Sequence, residues 1–286
     1  MEIERIKKTI VLLALSILLS NCIDLKSVNN YASTSLKGIE KYEEIDYSFM
    51  EHCLDRCEYE LVKKNIIERE VKCDDCGIFK EADKATNIIY RRIRGYFDAL
   101  ESLTNNELTD YDFDDLSNAL KKGDFEGIQI EDEEVNAAAK IGNIILRAST
   151  DIYRKNKVKV YVGEANTDIQ ILLKKFQEII DANLAELLSF KSDDIHGYYR
   201  RVVLDTMNSN FIKGRATYLY YQELSEIRKR QKKIRAYAKS INKIAKGHQE
   251  LYDNRNNMTQ KEFKTLISGY AGDIKNIVSE FNKLKE

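Results

Sequence analysis

The chain has no proline and no tryptophan among its 286 residues, and only three histidines. Proline is the main internal helix breaker, because its ring removes an amide donor and clashes with the preceding turn. Its absence leaves long helices uninterrupted. The histidines, His52, His196 and His248, are too far apart in sequence to form a short metal-ligand motif. Charge of one sign is also missing. Lys and Arg total 46 and Asp and Glu 47, so the formal net charge is −1. Nothing in that total calls for nucleic acid or an anionic surface as partner. The common catalytic signatures GxSxG, P-loop, HExxH and GxGxxG do not occur. No cofactor is expected and no enzyme is implied.

Long apolar runs are scarce too, and the exception lies at the start. Arg5, Lys7 and Lys8 precede Ile10 to Leu19, which only Ser16 interrupts. A helix of about ten residues cannot span a hydrocarbon core of ~30 Å, which needs ~20 residues. The run fits the apolar region of a secretory signal. Leu19-Ser20-Asn21-Cys22 follows, with Asn21 where Gly, Ala or Ser is usual. The segment resembles a bacterial lipobox, whose cysteine is acylated and becomes the first residue of the mature chain. The expected organisation is a lipoprotein signal peptide over 1–21, lipidation at Cys22, a polar tether over 22–30 and one helical domain over 31–286. More than one acyl chain is expected, because a single chain holds only marginally.

Apolar residues beyond the tether recur at three- and four-residue steps. They predict helices over Tyr31–Lys64, Lys80–Leu103, Asp110–Lys122 and Glu134–Val162. Val158 to Val162 alternates like a strand, but an isolated strand has no partner, so it is kept helical. Gly123 to Asp132 is expected as a loop, and Gly163 with Asn166 as a turn. One very long helix is predicted over Thr167–Asn208, broken at Asn208-Ser209-Asn210. Its mate over Lys213–Asp253 carries the most regular pattern in the chain. Thr217, Tyr220, Leu224, Ile227, Gln231, Ile234, Ala238, Ile241, Ala245, His248 and Tyr252 form a heptad seam. Thr259 with Glu262 makes a capping box for a last helix. The expected fold class is all-α: an elongated helical bundle built on a long antiparallel coiled-coil hairpin.

Four inner cysteines stand as Cys53-x3-Cys57 and Cys73-x2-Cys76. A hairpin turning near Asn65 places Cys53 opposite Cys76 and Cys57 opposite Cys73. Export meets an oxidising compartment, so disulfides are expected over a four-thiolate zinc site. His248 sits at a seam position, where a buried hydrogen-bonded histidine is expected in preference to a general base. Asp110, Asp112 and Asp114 fail as a calcium loop, because Asp115 and Lys121 stand where glycine and glutamate are required. Arg228 to Arg235 holds six cations in eight residues. No aromatics interleave to stack bases, and the seam turns most of these cations outward.

Leu19 to Cys22, Tyr31-Ala32-Ser33 and Gly247-His248-x-x-Leu251 together give a pattern that resembles helical bacterial envelope lipoproteins. That resemblance implies lipid modification and residence in the cell envelope, at the outer membrane or a periplasmic face. It implies no activity. The expected function is a non-enzymatic scaffold or binding protein, attached to the membrane by its N-terminal lipid. Its partner would be a protein or an envelope polymer, and not nucleic acid. Two alternatives are an exclusion or immunity lipoprotein that binds a toxin or phage component, and an envelope enzyme using His248 with acidic residues. A pocket holding His248 and acids would favour the enzyme. An exposed aromatic face, from Tyr218, Tyr221 and Tyr237, would favour binding.

Overall fold

A computed structural model describes residues 25–105, 118–150, 157–256 and 261–284, with residues 149 and 150 described by backbone only. The signal peptide, Cys22, the Asp110 to Asp114 cluster and the Thr259 capping box lie outside the described residues.

The described chain begins in a helix, α1 (Leu25–Ile39), which buries Val28, Tyr31, Ala32, Ser35 and Ile39. That spacing is one helical stripe. The polar tether expected over 22–30 is therefore corrected from Leu25 onward, where packing of Val28 and Tyr31 outweighs the polar composition. A 3-10 turn (Glu40–Glu44) and a short extended stretch follow. The single helix expected over Tyr31–Lys64 is thus two. The second, α2 (Phe49–Lys64), starts at Ser48, whose hydroxyl accepts from the Glu51 amide. Asp83 adds to that cap by accepting from the Phe49 and Met50 amides at 3.0 and 2.9 Å. Asn65 ends α2 in the left-handed region at φ 54°, a conformation Asn tolerates.

Helix α3 (Gly77–Asn105) runs through the core and buries Ile89, Ile93, Tyr96, Phe97 and Leu100. The loop expected over 123–132 contains a small hairpin, β1 (Gly123–Phe125) with β2 (Ile128–Ile130). Its two-residue turn is Glu126-Gly127, with φ of 53° and 81°. Positive φ at both positions is what a tight hairpin requires, and glycine supplies one of them freely.

Helix α4 (Asp132–Thr150) opens with three acids that suit its positive end. The helix expected to run on to Val162 ends earlier. Val158 instead starts α5 (Val158–Glu178), so the Val158–Val162 stretch is helical but belongs to the next element. The turn expected at Gly163 and Asn166 is corrected as well. Both lie inside α5, where Val158, Val162, Ala165 and Ile169 are buried on one side. Glycine and asparagine are weak breakers when packing holds the helix. A π-helical segment (Ile179–Leu184) joins α5 to α6 (Ala185–Leu204).

Helix α7 (Asn210–Asp253) returns antiparallel after Ser209, which caps it by accepting from the Ile212 amide. Paired contacts fix the register. Tyr199 donates to Glu223, Gln231 to Ser189 and the Ala185 carbonyl, Gln170 to the Ala245 carbonyl, and Asn166 to Gln249. At 1.5 Å per residue, α7 is about 65 Å long. Helix α8 (Lys261–Lys283) then packs along α7 and α1.

The seam is buried at Leu224, Ile227, Ile234, Ala238, Ile241 and His248 and half-buried at Gln231, Ala245 and Tyr252, while Thr217 is exposed. Past Ile234 the buried face widens to include Tyr237, Ser240, Ile244, Gly247 and Leu251. Those residues receive α1 and α8, so only the first part of α7 is a simple two-helix hairpin. The fold is an all-α bundle with one continuous apolar core.

Candidate functional site

The four cysteines form the two expected bridges, Cys53–Cys76 and Cys57–Cys73, with Cα–Cα distances of 5.8 and 6.1 Å. Both fit the range a disulfide needs. The local path differs from expectation. Cys53 and Cys57 stand on α2, but Cys73 and Cys76 sit in the irregular stretch before α3. The turn is where it was expected, at Asn65. The bridges therefore clamp the base of a loop whose outer part carries Ile66 and Ile67.

His248 is completely buried. Its Nδ1 donates to the Asn166 Oδ1 at 3.0 Å, and its Nε2 accepts from the Tyr96 hydroxyl at 2.6 Å. The Asn166 amide nitrogen donates in turn to Gln249, which fixes the amide orientation and so the imidazole tautomer. Burial pushes the His248 pKa down to about 3. This neutral ring ties α3, α5 and α7 together. Asn166, read from sequence only as a turn residue, is its essential partner. A helical i, i+3 relation to Ile169 on the buried face is the signal that would have placed it inside.

Two concave regions deserve a chemical reading. A cleft of about 560 Å³ between α4, α5 and α7 is lined by Glu134, Gln170, Lys175, Asn242, Lys246 and Gln249. It reaches Gln249, but the His248 ring faces the other way into the core. A smaller cavity of about 150 Å³ between α2 and α6 holds His52, Asp55, Tyr59, Lys191, Asp194 and Glu223. Several of its polar groups are engaged. His52 Nδ1 meets the Tyr47 hydroxyl at 3.0 Å, Lys191 pairs with Asp55, and Tyr59 donates to the Asp194 carbonyl. Burial and the neighbouring Arg56 lower the His52 pKa.

The basic stretch Arg228–Arg235 is mostly outward, with one correction. Lys233 is buried, bonded to Asp46 at 3.0 Å and set 5.5 Å over the Phe281 ring. Tyr237, offered as part of an exposed aromatic face, is also buried and donates to the Ile39 carbonyl at 2.9 Å. The other two expected aromatics, Tyr218 and Tyr221, are exposed.

These two tyrosines belong to a larger feature. Among the described residues, thirteen large apolar side chains are exposed. Nine of them lie at the free end of the α6–α7 hairpin, or in the last turn of α2 and the clamped loop that follows it. From the hairpin come Leu204, Met207, Phe211, Ile212, Tyr218 and Tyr221, and from the loop region Val62, Ile66 and Ile67. Both groups share one end of the molecule. Asp55 meets Lys191 and Tyr59 meets Asp194 and Tyr198, so α2 and α6 advance in the same direction. Behind the apex, Tyr59, Tyr198, Tyr199, Tyr220 and Tyr221 form a chain of rings with neighbouring centroids 5.1 to 6.0 Å apart. A shallow groove beside it is lined by His196, Tyr199, Arg200, Thr217, Tyr220 and Tyr221. No protein-family model, curated protein or solved structure matches the chain.

Proposed function

We propose that this chain is a membrane-anchored lipoprotein of a bacterial envelope, acting as a non-enzymatic helical scaffold that presents one end of its hairpin to a partner. The basic-apolar-cysteine order of residues 5–22 supports the anchor. The two disulfides support an oxidising compartment. Among the described residues no helix is long and apolar enough to cross a membrane.

The observation that carries the binding role is the gathering of nine of the thirteen exposed large apolar side chains at one end. Apolar surface concentrated in this way marks an interaction site, whereas scattered residues need no explanation. The binding reading is supported over an envelope enzyme using His248 by that ring's enclosure and its amide and phenol partners.

A photoreactive amino acid placed at Met207, and separately at the exposed Val160, tests the reading in intact cells. Adducts from position 207 and none from 160 are the expected result. Equal adduct yields at both positions would overturn the assignment of the hairpin end as the binding surface.

A further inference from the structure

The chemistry of this end, and its distance from the N-terminus, point to the occupant. The apex side chains come from two separate segments. Ile67 is 98 % exposed, Met207 91 % and Phe211 78 %. Tyr218 lies seven residues behind Phe211 on α7, which is about 10 Å along the axis. The hairpin carries the cation excess: residues 200–221 hold Arg200, Arg201, Lys213 and Arg215 against Asp205 alone, while the loop mixes Lys64, Arg69 and Lys72 with Glu68 and Glu70, and its Lys63 pairs with Glu60.

A protein-binding face sets its apolar anchors in a central pocket, enclosed by a polar rim. Here the order runs with depth instead: aliphatic and phenyl groups at the apex, tyrosines set back, and Lys and Arg around them. That is the order of a lipid interface. Apolar groups enter the acyl boundary, aromatic rings sit at headgroup level, and cations meet anionic headgroups.

The position in the fold adds a direction. Tyr31 bonds the Ile244 carbonyl and Tyr237 bonds the Ile39 carbonyl, so α1 runs antiparallel to α7. The start of α1 is therefore level with the C-terminal end of α7, and the hairpin apex lies about 60 Å away. Leu25 follows Cys22 by three residues, which reach only about 10 Å.

We propose that the hairpin apex and the disulfide-clamped loop dock together on an anionic lipid surface, separate from the one that holds the N-terminal anchor. The separation of the two surfaces rests on the anchored-scaffold reading above. The lipid preference rests on the apex alone.

The test uses the full acylated chain in phosphatidylcholine vesicles, offered a second, dye-marked vesicle population. That population is either phosphatidylcholine or phosphatidylcholine with about 30 mol % phosphatidylglycerol, and flotation reads what is gathered. Wild type should gather the anionic vesicles, and less so as salt is raised. Ile67→Asp/Met207→Asp/Phe211→Asp should lose about tenfold or more of that gathering, since each change removes inserted apolar surface and adds a repelled charge. All three sites are exposed, so its melting midpoint should match wild type. Should that variant misfold, Lys213→Glu/Arg215→Glu with the salt series gives the same decision.

Equal gathering by wild type and variant, or none by wild type, overturns the proposal. Adducts from Met207 to a protein without vesicle gathering would overturn it in favour of a protein partner. Flotation with the first vesicles scores the anchor separately. If the anchor fails, anionic vesicles offered alone must still recover wild type over the apex variant, and their failure to do so sinks the lipid assignment.

Discussion

A Cβ carried by residue 247 would stand 2.6 Å from Cε2 of Tyr31, well inside carbon–carbon contact. Tyr31 cannot retreat, because its ring is fully buried and its hydroxyl donates to the Ile244 carbonyl at 2.6 Å. The same Cβ would also stand 3.2 Å from the Cβ of Tyr270. Gly247 is therefore where α1 closes onto α7. Gly247→Ala should destabilise the fold by roughly 1–3 kcal/mol through overpacking, although alanine gains up to about 1 kcal/mol in helix propensity. Urea midpoints measure the balance, and an unchanged or raised midpoint would mean that the helices do not approach so closely.

His248 makes stability depend on pH. Its folded pKa, about 3, lies below the ordinary value of 6.5. Between these values the unfolded chain takes up a proton that the folded one refuses. Stability is thus fully present above about pH 6.5 and falls as pH drops toward 3, by up to a few kcal/mol for a ring this buried. His248→Gln should flatten that part of the stability–pH curve while lowering stability at neutral pH. A curve equally steep in the variant would show that other groups cause the acid loss.

Tyr96→Phe isolates one bond of the same network. It leaves the His248 Nε2 without its donor in a site closed to water. The expected cost is about 1–3 kcal/mol, the usual penalty for a buried unsatisfied acceptor. Chemical denaturation checks it. A cost near zero would mean that water enters the site.

The clamped loop depends on oxidation. Non-reducing peptide mapping should recover Cys53–Cys76 and Cys57–Cys73, and replacing both pairs with serine should cost about 3 kcal/mol. The four sulfurs lie within 4.8 Å of one another, so the competing outcome is specific. Four alkylatable thiols with stoichiometric zinc in protein taken from the envelope would replace the bridges by a metal centre.

Cys22→Ala should abolish incorporation of labelled fatty acid and leave an unprocessed precursor or a non-lipidated protein. Undiminished labelling of that variant would remove the anchor, and with it the two-surface geometry.

The seam shows how far periodicity carries. Its spacing placed Ile234, Ile241 and His248 on a buried side, and they are buried. The same spacing placed Thr217 there, and it is exposed. Nothing in a heptad says how far along a helix its neighbours extend. Tyr237 is the converse case. It lies off the seam and faces a second layer, α1 and α8, that a two-helix pattern does not contain.

The cysteine pairing was legible in the sequence, because an antiparallel hairpin turning near Asn65 sets Cys53 opposite Cys76 and Cys57 opposite Cys73. Helix class was equally local: without proline, apolar spacing of three and four commits the chain to helices. Long-range packing decided the rest. It kept Gly163 and Asn166 inside α5, since burial of the neighbouring Val162 and Ala165 outweighs a small propensity deficit. It gave His248 its hydrogen bonds, since Tyr96 and Asn166 come from helices remote in sequence. It also brought Ile67 and Met207 to one end, because contacts between α2 and α6 set a parallel direction that neither segment encodes alone.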